Sequence, residues 1–234
     1  MRQAIPIFKK EFRSYFVSPI AYIVIAIFLL VTGWFFFATF FLVGQANLRN
    51  FFALLPIIFS FVIPAITMRL VAEELHIGSY EVLLTLPVTY TDVILGKFLA
   101  SLGFVVAMLI PTLAYALTVA ALGQMDWGPV AGGYIGALLL GAAFSAIGLF
   151  ASTLTRNQIV AFIIGVAICF CLTLIDKMLF FLPRSLLGLL SYLGADFHFQ
   201  NISKGIIDTR DIIYFLSVCF VGLYGAHLAL QAKG

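Results

Sequence analysis

Residues 73–97 read EELHIGSYEVLLTLPVTYTDVILGK and lie between two long apolar runs. They hold five charged residues and one histidine around a leucine-rich centre. The runs on either side have the length and composition of membrane-spanning helices. The stretch therefore predicts a water-exposed connection between two spans, and its apolar centre predicts a surface on which a partner protein docks.

The composition places the chain in a membrane. Of its 234 residues, 63% are hydrophobic and 10% are charged, and the mean hydropathy is +1.15. Soluble domains carry about 25% charged residues, so a soluble fold is excluded and residues 1–234 predict one membrane domain. The net charge of +3 gives no sign of nucleic-acid binding. Cys169, Cys171 and Cys219 lie in apolar runs and are predicted to be small buried side chains without disulfides or metal.

The uncharged runs predict the number of spans. A membrane-spanning helix needs roughly 20 apolar residues. We expect an all-α polytopic membrane protein with six spans, near 20–43, 51–72, 93–122, 130–153, 158–182 and 212–231. Thr91 followed by Asp92 predicts a helix N-cap. A helix from Asp92 to Leu122 would be about 46 Å long at 1.5 Å per residue, so part of it is expected to stand in water.

Residues 1–18 predict an amphipathic helix along the membrane surface. Its apolar face holds Ile5, Phe8, Phe12, Tyr15 and Phe16, and its basic face holds Lys9, Lys10 and Arg13. A basic flank that only orients the first span is compatible with the same residues.

The distribution of Lys and Arg predicts the orientation. With the N-terminus inside, eight basic residues lie on the cytosolic side and five on the other. This predicts that both termini and residues 73–97 lie in the cytosol. Residues 183–211 then form an outer loop, and its leucines and aromatics predict a segment that dips back or lies flat at the surface.

Motifs for catalysis or cofactor binding are missing from the sequence. It has no G-x-x-x-x-G-K-[ST] phosphate-binding loop and no H-E-x-x-H, and its histidines are far apart along the chain. We therefore predict no catalytic residue, no cofactor and no metal, although a Ser-His-Asp arrangement stays open. Asp176 and Lys177 are the charged candidates within the predicted spans, at the end of the fifth, which gives little support to ion-coupled transport.

Small residues recur every four positions in the fourth span: Gly133, Ala137, Gly141 and Ser145. Rows of this kind allow close helix packing in lipid. The row predicts a close contact, either within the subunit or across a dimer. Pro56, Pro64 and Pro111 are predicted to kink their helices.

The stretch around residues 73–97 resembles the cytosolic segment of type 2 ABC exporter permeases. That family has an acidic pair, a Gly-Thr-hydrophobic-Glu-x-Leu-Leu stretch, a small-Pro-Val step and a Gly-Lys pair. The matching residues are Glu73, Glu74, Gly78, Glu81, Leu83, Leu84, Pro87, Val88, Gly96 and Lys97. Ser79 stands where Thr is usual and keeps the hydroxyl.

Two further stretches resemble the gliding-motility-type (GldF-like) branch of this family. They are FKKEFRSYFVSPIAYIVIAIFLLVTGWFFF at 8–37 and NISKGIIDTRDIIYFLS at 201–217. The copper-enzyme-maturation (NosY-like) branch is a close relative. The resemblance implies a dimer of membrane subunits above two cytosolic ATPase subunits, an N-terminal connecting helix and short re-entrant helices in the last outer loop. In the gliding branch it also implies a companion membrane protein with a large outer domain.

The resemblance further implies a coupling helix near residues 78–88 that contacts the ATPase. Its contact residues would be Gly78, Ser79, Tyr80, Glu81, Val82, Leu83, Leu84 and Pro87. The short turn with Thr155, Arg156 and Asn157 is a possible second contact, or an anchor to lipid phosphates.

The residues themselves are consistent with such a helix. Ser79 can cap it, Glu81 is favourable in its first turn and Pro87 ends it. Its apolar surface exceeds that of a solvated loop, which favours a groove on a partner. Folding back against its own helix ends is the alternative.

The function predicted is that of a permease subunit without a nucleotide site of its own, coupled to a partner ATPase for export or force transmission. An ion-coupled carrier or channel and a non-transporting membrane scaffold are the alternatives. Lipid, polysaccharide and peptide all stay open as cargo, as does the choice between homodimer and heterodimer.

Overall fold

The computed structural model describes residues 3–43, 47–78, 88–178, 192–206 and 208–233, and most of these residues are helical. The predicted all-α membrane fold is confirmed. The helices are α1 (Ala4–Val17), α2 (Pro19–Val43), α3 (Arg49–Thr67), α4 (Arg69–Ile77), α5 (Tyr90–Leu109), α6 (Leu113–Leu122), α7 (Trp127–Leu154), α8 (Gln158–Met178), α9 (Ala195–Ser203) and α10 (Thr209–Gln231).

Six helical stretches among these residues are long and apolar enough to cross a membrane, as predicted. They are Pro19–Phe40, Arg49–Ile77, Tyr90–Leu122, Trp127–Leu154, Gln158–Ile175 and Thr209–Gln231. The second combines α3 with α4, and the third combines α5, a 3₁₀ turn and α6. The end of the bundle where α4 stops and α5 starts is called the joint end, after a helix interruption at residues 66–72 that is described below. The opposite end is called the far end.

The third span begins earlier than predicted. Thr89, not Thr91, is its N-cap, and Tyr90 is its first residue. Thr89 Oγ1 accepts a hydrogen bond from the Asp92 backbone N–H at 3.2 Å and lies 2.8 Å from Asp92 Oδ2. The predicted cap at Thr91 is wrong because the threonine three positions before Asp92 forms this reciprocal capping pair.

Pro111 marks a change of helix type in the same span. Its nitrogen carries no hydrogen and cannot donate to the carbonyl four residues back. Ile110–Thr112 accordingly form a 3₁₀ turn between α5 and α6. In contrast, α3 runs as α-helix through Pro56 and Pro64, and the second span is interrupted only at Met68. Kinks at Pro56 and Pro64 stay a prediction.

α7 is the central helix of the bundle. Its span is 72% buried, whereas the spans of α2, α8 and α10 are each 22% buried. It packs against α3, α4, α5, α8, α9 and α10. Glycine permits this: a Cβ at Gly132 would collide with the Ile202 carbonyl oxygen of α9, and one at Gly222 of α10 would lie 2.9 Å from the Ala146 backbone.

The small-residue row of α7 lies at contacts inside this chain. A Cβ at Gly133 would collide with the Phe52 ring of α3, and a Cβ at Gly141 would lie 2.8 Å from Val105 Cγ1 of α5. Ala137 and Ser145 are fully buried. The row therefore brings α3 and α5 close to α7.

The cysteines differ in their surroundings. Cys169 is buried and Cys219 is half-buried, but Cys171 is exposed on the surface of the chain. The prediction of burial is wrong for Cys171 because residues two apart on a helix point to different faces. α8 buries one face against α3 and α7 and leaves another open.

At the far end, α9 packs against α7 and is connected to α8 by an ion pair and to α10 by a histidine–aspartate hydrogen bond. Lys177 Nζ of α8 lies 2.9 Å from Asp196 Oδ2, and His198 Nδ1 lies 2.6 Å from Asp211 Oδ1 of α10. Asp196, His198 and Asp211 are all buried. The connection between α8 and α10 thus includes a packed helix, while its residues 179–191 lie outside the described part of the chain.

Candidate functional site

The segment predicted to dock on a partner is described only at its edges. Residues 79–87 lie outside the described residues, and with them Ser79, Tyr80, Glu81, Val82, Leu83, Leu84 and Pro87. Gly78 ends α4 in a left-handed conformation, with φ of 79°. Such a conformation favours glycine because it has no Cβ to clash. The chain therefore turns off the α4 axis at Gly78 and returns at Val88, just before α5.

Just before that segment lies an interruption in the second span, which we call the 66–72 joint (Ile66–Ala72). Met68 separates α3 from α4 although its φ of −52° and ψ of −34° stay helical. Side chains from three other helices hydrogen-bond to backbone carbonyls of the joint. The donors are Tyr15 of α1 to Ile66 at 3.0 Å, Ser152 of α7 to Met68 at 2.7 Å and Lys97 of α5 to Leu70 at 2.5 Å.

Ser152 also accepts two hydrogen bonds from the joint. The backbone N–H groups of Val71 and Ala72 each donate to its Oγ at 3.0 Å. A hydroxyl has one hydrogen to donate and two lone pairs to accept with, so the joint uses all of them. Ser152 is fully buried, and water does not compete for these bonds.

Lys97 is a buried cation at the centre of the site. It is 1% exposed, and its Nζ lies 2.8 Å from Glu74 Oε1 of α4 and 3.2 Å from Glu11 Oε1 of α1. A buried ammonium group is tolerated only with partners that replace its hydration. Two carboxylates and the Leu70 carbonyl provide them, so Lys97 joins α1, α4 and α5 at one point.

Tyr15 holds the surface helix to the same joint. It is 3% exposed, and the Cζ atom of Arg69 lies 5.3 Å from its ring centroid, within range of a cation–π contact. Burial raises the pKa of Tyr15 above its ordinary value, while the Arg69 guanidinium acts in the opposite direction. The hydroxyl stays protonated and continues to donate to Ile66.

α1 packs directly on α5 beside Lys97. A Cβ at Gly96 would lie 2.7 Å from Ile7 Cγ2, and a Cβ at Gly103 would lie 3.1 Å from the Phe12 ring. The Gly-Lys pair therefore has two roles in the structure: Gly96 permits the close approach and Lys97 forms the ionic contact.

The second turn at the joint end contains Thr155, Arg156 and Asn157. The Asn157 side chain accepts from the Ile159 N–H at 2.9 Å and the Thr155 hydroxyl accepts from the Asn157 N–H at 3.1 Å, so both serve the start of α8. Arg156 is exposed. Nearby, Lys233 Nζ donates to the Thr153 carbonyl at 2.6 Å. Burial and the charge of Arg156 lower the pKa of Lys233.

A cleft of about 290 Å³ opens between α1 and α4 at the joint. Three carboxylates and two cations line it, namely Glu11, Glu73, Glu74, Lys10 and Arg69. Lys97 pairs with Glu11 and Glu74, so the carboxylates and cations around the cleft balance, and the cleft lies beside the end of α4.

Sequence reasoning identified Gly96 and Lys97 by resemblance but missed what they contact. It missed Ser152 altogether, because a serine in an apolar run gives no signal of its partner. Tyr15 was placed on the correct helix, without its bond to Ile66. The shortest of these contacts along the chain, Lys97 with Glu74, spans 23 positions (97 − 74).

Comparison with known families identifies the family of the chain. A family model described as an ABC-2 family transporter protein matches residues 5–191. The chain belongs to the ABC-2 transporter family. The match begins in α1, covers the 66–72 joint and extends past α8, which confirms the family expected from residues 73–97. No curated protein sequence matches this ABC-2 chain.

Membership gives the ABC-2 chain its general role. It is the multi-pass membrane subunit of an ABC transporter, without an ATPase site of its own. At the 66–72 joint, buried hydrogen bonds and the buried Lys97 cation hold α1, α4, α5 and α7 together, shortly before residues 79–87 in the sequence.

Proposed function

We propose that this ABC-2 permease couples ATP hydrolysis by a partner ATPase to export or to force transmission. Residues 78–88 would be the docking helix, and the 66–72 joint would pass its movement to the spans. The observation that carries the proposal is the contact of Tyr15, Lys97 and Ser152, from three helices, with one short stretch of backbone. That stretch leads directly into the docking segment.

The proposed mechanism begins with closure of the ATPase dimer. Closure displaces residues 79–87 and pulls on α4 through Gly78. Lys97 ties α4 to α1 and α5, and Ser152 ties it to α7, so these helices move together. The hydrogen bonds of Tyr15, Lys97 and Ser152 to this backbone are buried. They support a stiff connection, because stretching any of them leaves a buried polar group unpaired.

Glu73 supports a second contact with the ATPase. It belongs to α4 and lines the cleft between α1 and α4, whereas Lys97 already pairs with Glu11 and Glu74. A lysine or arginine of the ATPase beside the docking helix would complement Glu73. Arg156 in the second turn is free to reach an acidic residue of the same partner.

The arrangement in the membrane is part of the proposal. Both termini and the joint end face the cytosol of a bacterium, and the chain spans the inner membrane. A second permease subunit completes a dimer. The stretches at 8–37 and 201–217 favour the gliding-motility-type branch, with a companion protein that has an outer domain, over the NosY-like branch. Cargo of the lipid, polysaccharide or peptide class would cross at the dimer centre.

Purification of the tagged chain in mild detergent tests this function. We expect an ABC ATPase to co-purify, and expect the complex in nanodiscs to hydrolyse ATP. Substitution of the Walker A lysine of that ATPase is the matched control and is expected to abolish hydrolysis while leaving the complex intact. If no ATPase co-purifies from native membranes or hydrolysis persists in the control, the proposal is wrong.

A further inference from the structure

The Ser152 hydroxyl fills a gap in the backbone hydrogen bonding of the second span. In an uninterrupted α-helix, the Val71 N–H would donate to the carbonyl of Thr67, four residues back. Met68 separates α3 from α4 at this point, and Val71 donates to Ser152 Oγ at 3.0 Å. A side chain inserted into a helix ladder is one of the few physical causes of a local bend.

The approach of α7 to this gap is close along a full turn. Gly148 lies four residues before Ser152, on the same face of α7. A Cβ at Gly148 would collide with Thr67 Oγ1 and would lie 3.6 Å from Pro64 Cα. α7 therefore meets the end of α3 at Gly148 and the start of α4 at Ser152, and at Gly148 the Thr67 side chain occupies the space that a Cβ of α7 would need.

We propose that Ser152 is a positioning residue that ties α4 to α7, so that a displacement of α4 moves α7 with it. The inference rests on the proposed function, because it takes α4 as the helix that receives the ATPase movement. α7 is suited to distribute that movement, since it packs against α3, α5, α8, α9 and α10 as well. Ser152 would then set how much of the movement reaches the far end.

Spin-label distances in the complex with its ATPase test the tie. Labels go on Ile77 of α4 and Leu138 of α7, which are 69% and 37% exposed, in a background without Cys169, Cys171 and Cys219. We expect a narrow distance distribution whose mean stays constant when ATP and vanadate are added. Ser152→Ala should broaden it without nucleotide and shift its mean with ATP, while hydrolysis continues.

Two variants separate positioning from general stability. Ser145 is also a fully buried serine of α7, but its hydroxyl has no hydrogen-bond partner among the described residues, so Ser145→Ala should leave the distribution unchanged. Ser152→Thr keeps the hydroxyl and should restore most of the wild-type distribution. A loss of fold in Ser152→Ala would show as a lower yield of monodisperse protein. In that case the distance distribution of Ser152→Thr is compared with that of the wild-type chain.

The label distances separate failure of the inference from failure of the proposed function. If Ser152→Ala keeps the wild-type distribution with and without ATP, the tie is absent and the inference is wrong. A second label pair, Trp34 of α2 with Ile77, reports movement of α4 against a helix that neither Lys97 nor Ser152 ties to it, and Trp34 is 72% exposed. No ATP-driven change in that distance also contradicts the inference. If the wild-type chain retains no ATPase, the proposed function fails separately, and the nucleotide-free distributions still decide whether Ser152 fixes α4 to α7.

Discussion

Lys97 and Glu74 form an ion pair, with 2.8 Å between Nζ and Oε1, that joins the third span to the helix leading into residues 79–87. Glu11 of the surface helix completes the contact at 3.2 Å. The three charges come from α1, α4 and α5. Glu74 and Lys97 lie on either side of residues 79–87 in the sequence, so the contact joins the helices before and after that segment to the surface helix α1.

Lys97→Met should destabilise the chain strongly. It leaves two carboxylates facing each other and removes the donor to the Leu70 carbonyl, and breaking a buried pair costs about 3–5 kcal/mol. The measurement is the thermal unfolding midpoint of the purified protein in detergent. Lys10→Met is the control, because Lys10 lies 3.7 Å from the same Glu11 oxygen but is 68% exposed. An exposed pair is worth about 0–1 kcal/mol, so equal midpoints for the two variants would contradict the structure.

Gly141→Leu should loosen the contact between α5 and α7. A Cβ at this position already lies 2.8 Å from Val105 Cγ1, and overpacking of this kind costs about 1–3 kcal/mol. Thermal unfolding and gel filtration report the effect. Ala142→Leu adds bulk at the next, half-buried position of the same helix. If both variants unfold at the wild-type temperature, the small-residue row does not set the packing.

The orientation makes a prediction that does not depend on stability. In a background without native cysteines, Ser79→Cys should resist an impermeant thiol reagent in intact cells and react after lysis. Ile206→Cys, which lies beside α9 and is 64% exposed, should react in intact cells. Outside labelling at position 79 would reverse the proposed orientation.

The sequence was sufficient for the spans and insufficient for the contacts between them. Each span can be recognised from the length and composition of its apolar run, and the N-terminal helix can be recognised from the spacing of its apolar and basic residues. Ser152 and Ser145 illustrate the limit, because they are serines of one apolar helix with the same burial. Only the folded chain shows that one meets a gap in backbone bonding and the other does not.

The capping of the third span shows a similar limit at short range. Thr89 and Thr91 both precede Asp92, and either is acceptable as an N-cap by residue type. Thr89 is the N-cap because it lies three residues before Asp92. At that spacing the Thr89 hydroxyl donates to the Asp92 carboxylate and accepts from the Asp92 backbone N–H. For Lys97, the resemblance pointed to the residue, but its partners Glu11 and Glu74 come from α1 and α4 and depend on tertiary packing.

Docking of the ATPase on residues 78–88 is the central claim, and its affinity for variants of Leu83 tests it most directly. Burial of one leucine contributes about 1.5–3 kcal/mol, so Leu83→Asp should weaken ATPase binding by more than about tenfold, while Glu81→Ala should cost only about 0.5–1 kcal/mol as a helix-dipole effect. Leu193→Asp is the matched control: this leucine is 51% exposed at the far end, and its replacement should leave ATPase binding unchanged. The measurement is the ATPase retained per permease, titrated at matched expression and through salt washes. We predict loss of the ATPase from Leu83→Asp with normal membrane insertion; retention at wild-type stoichiometry would contradict the account.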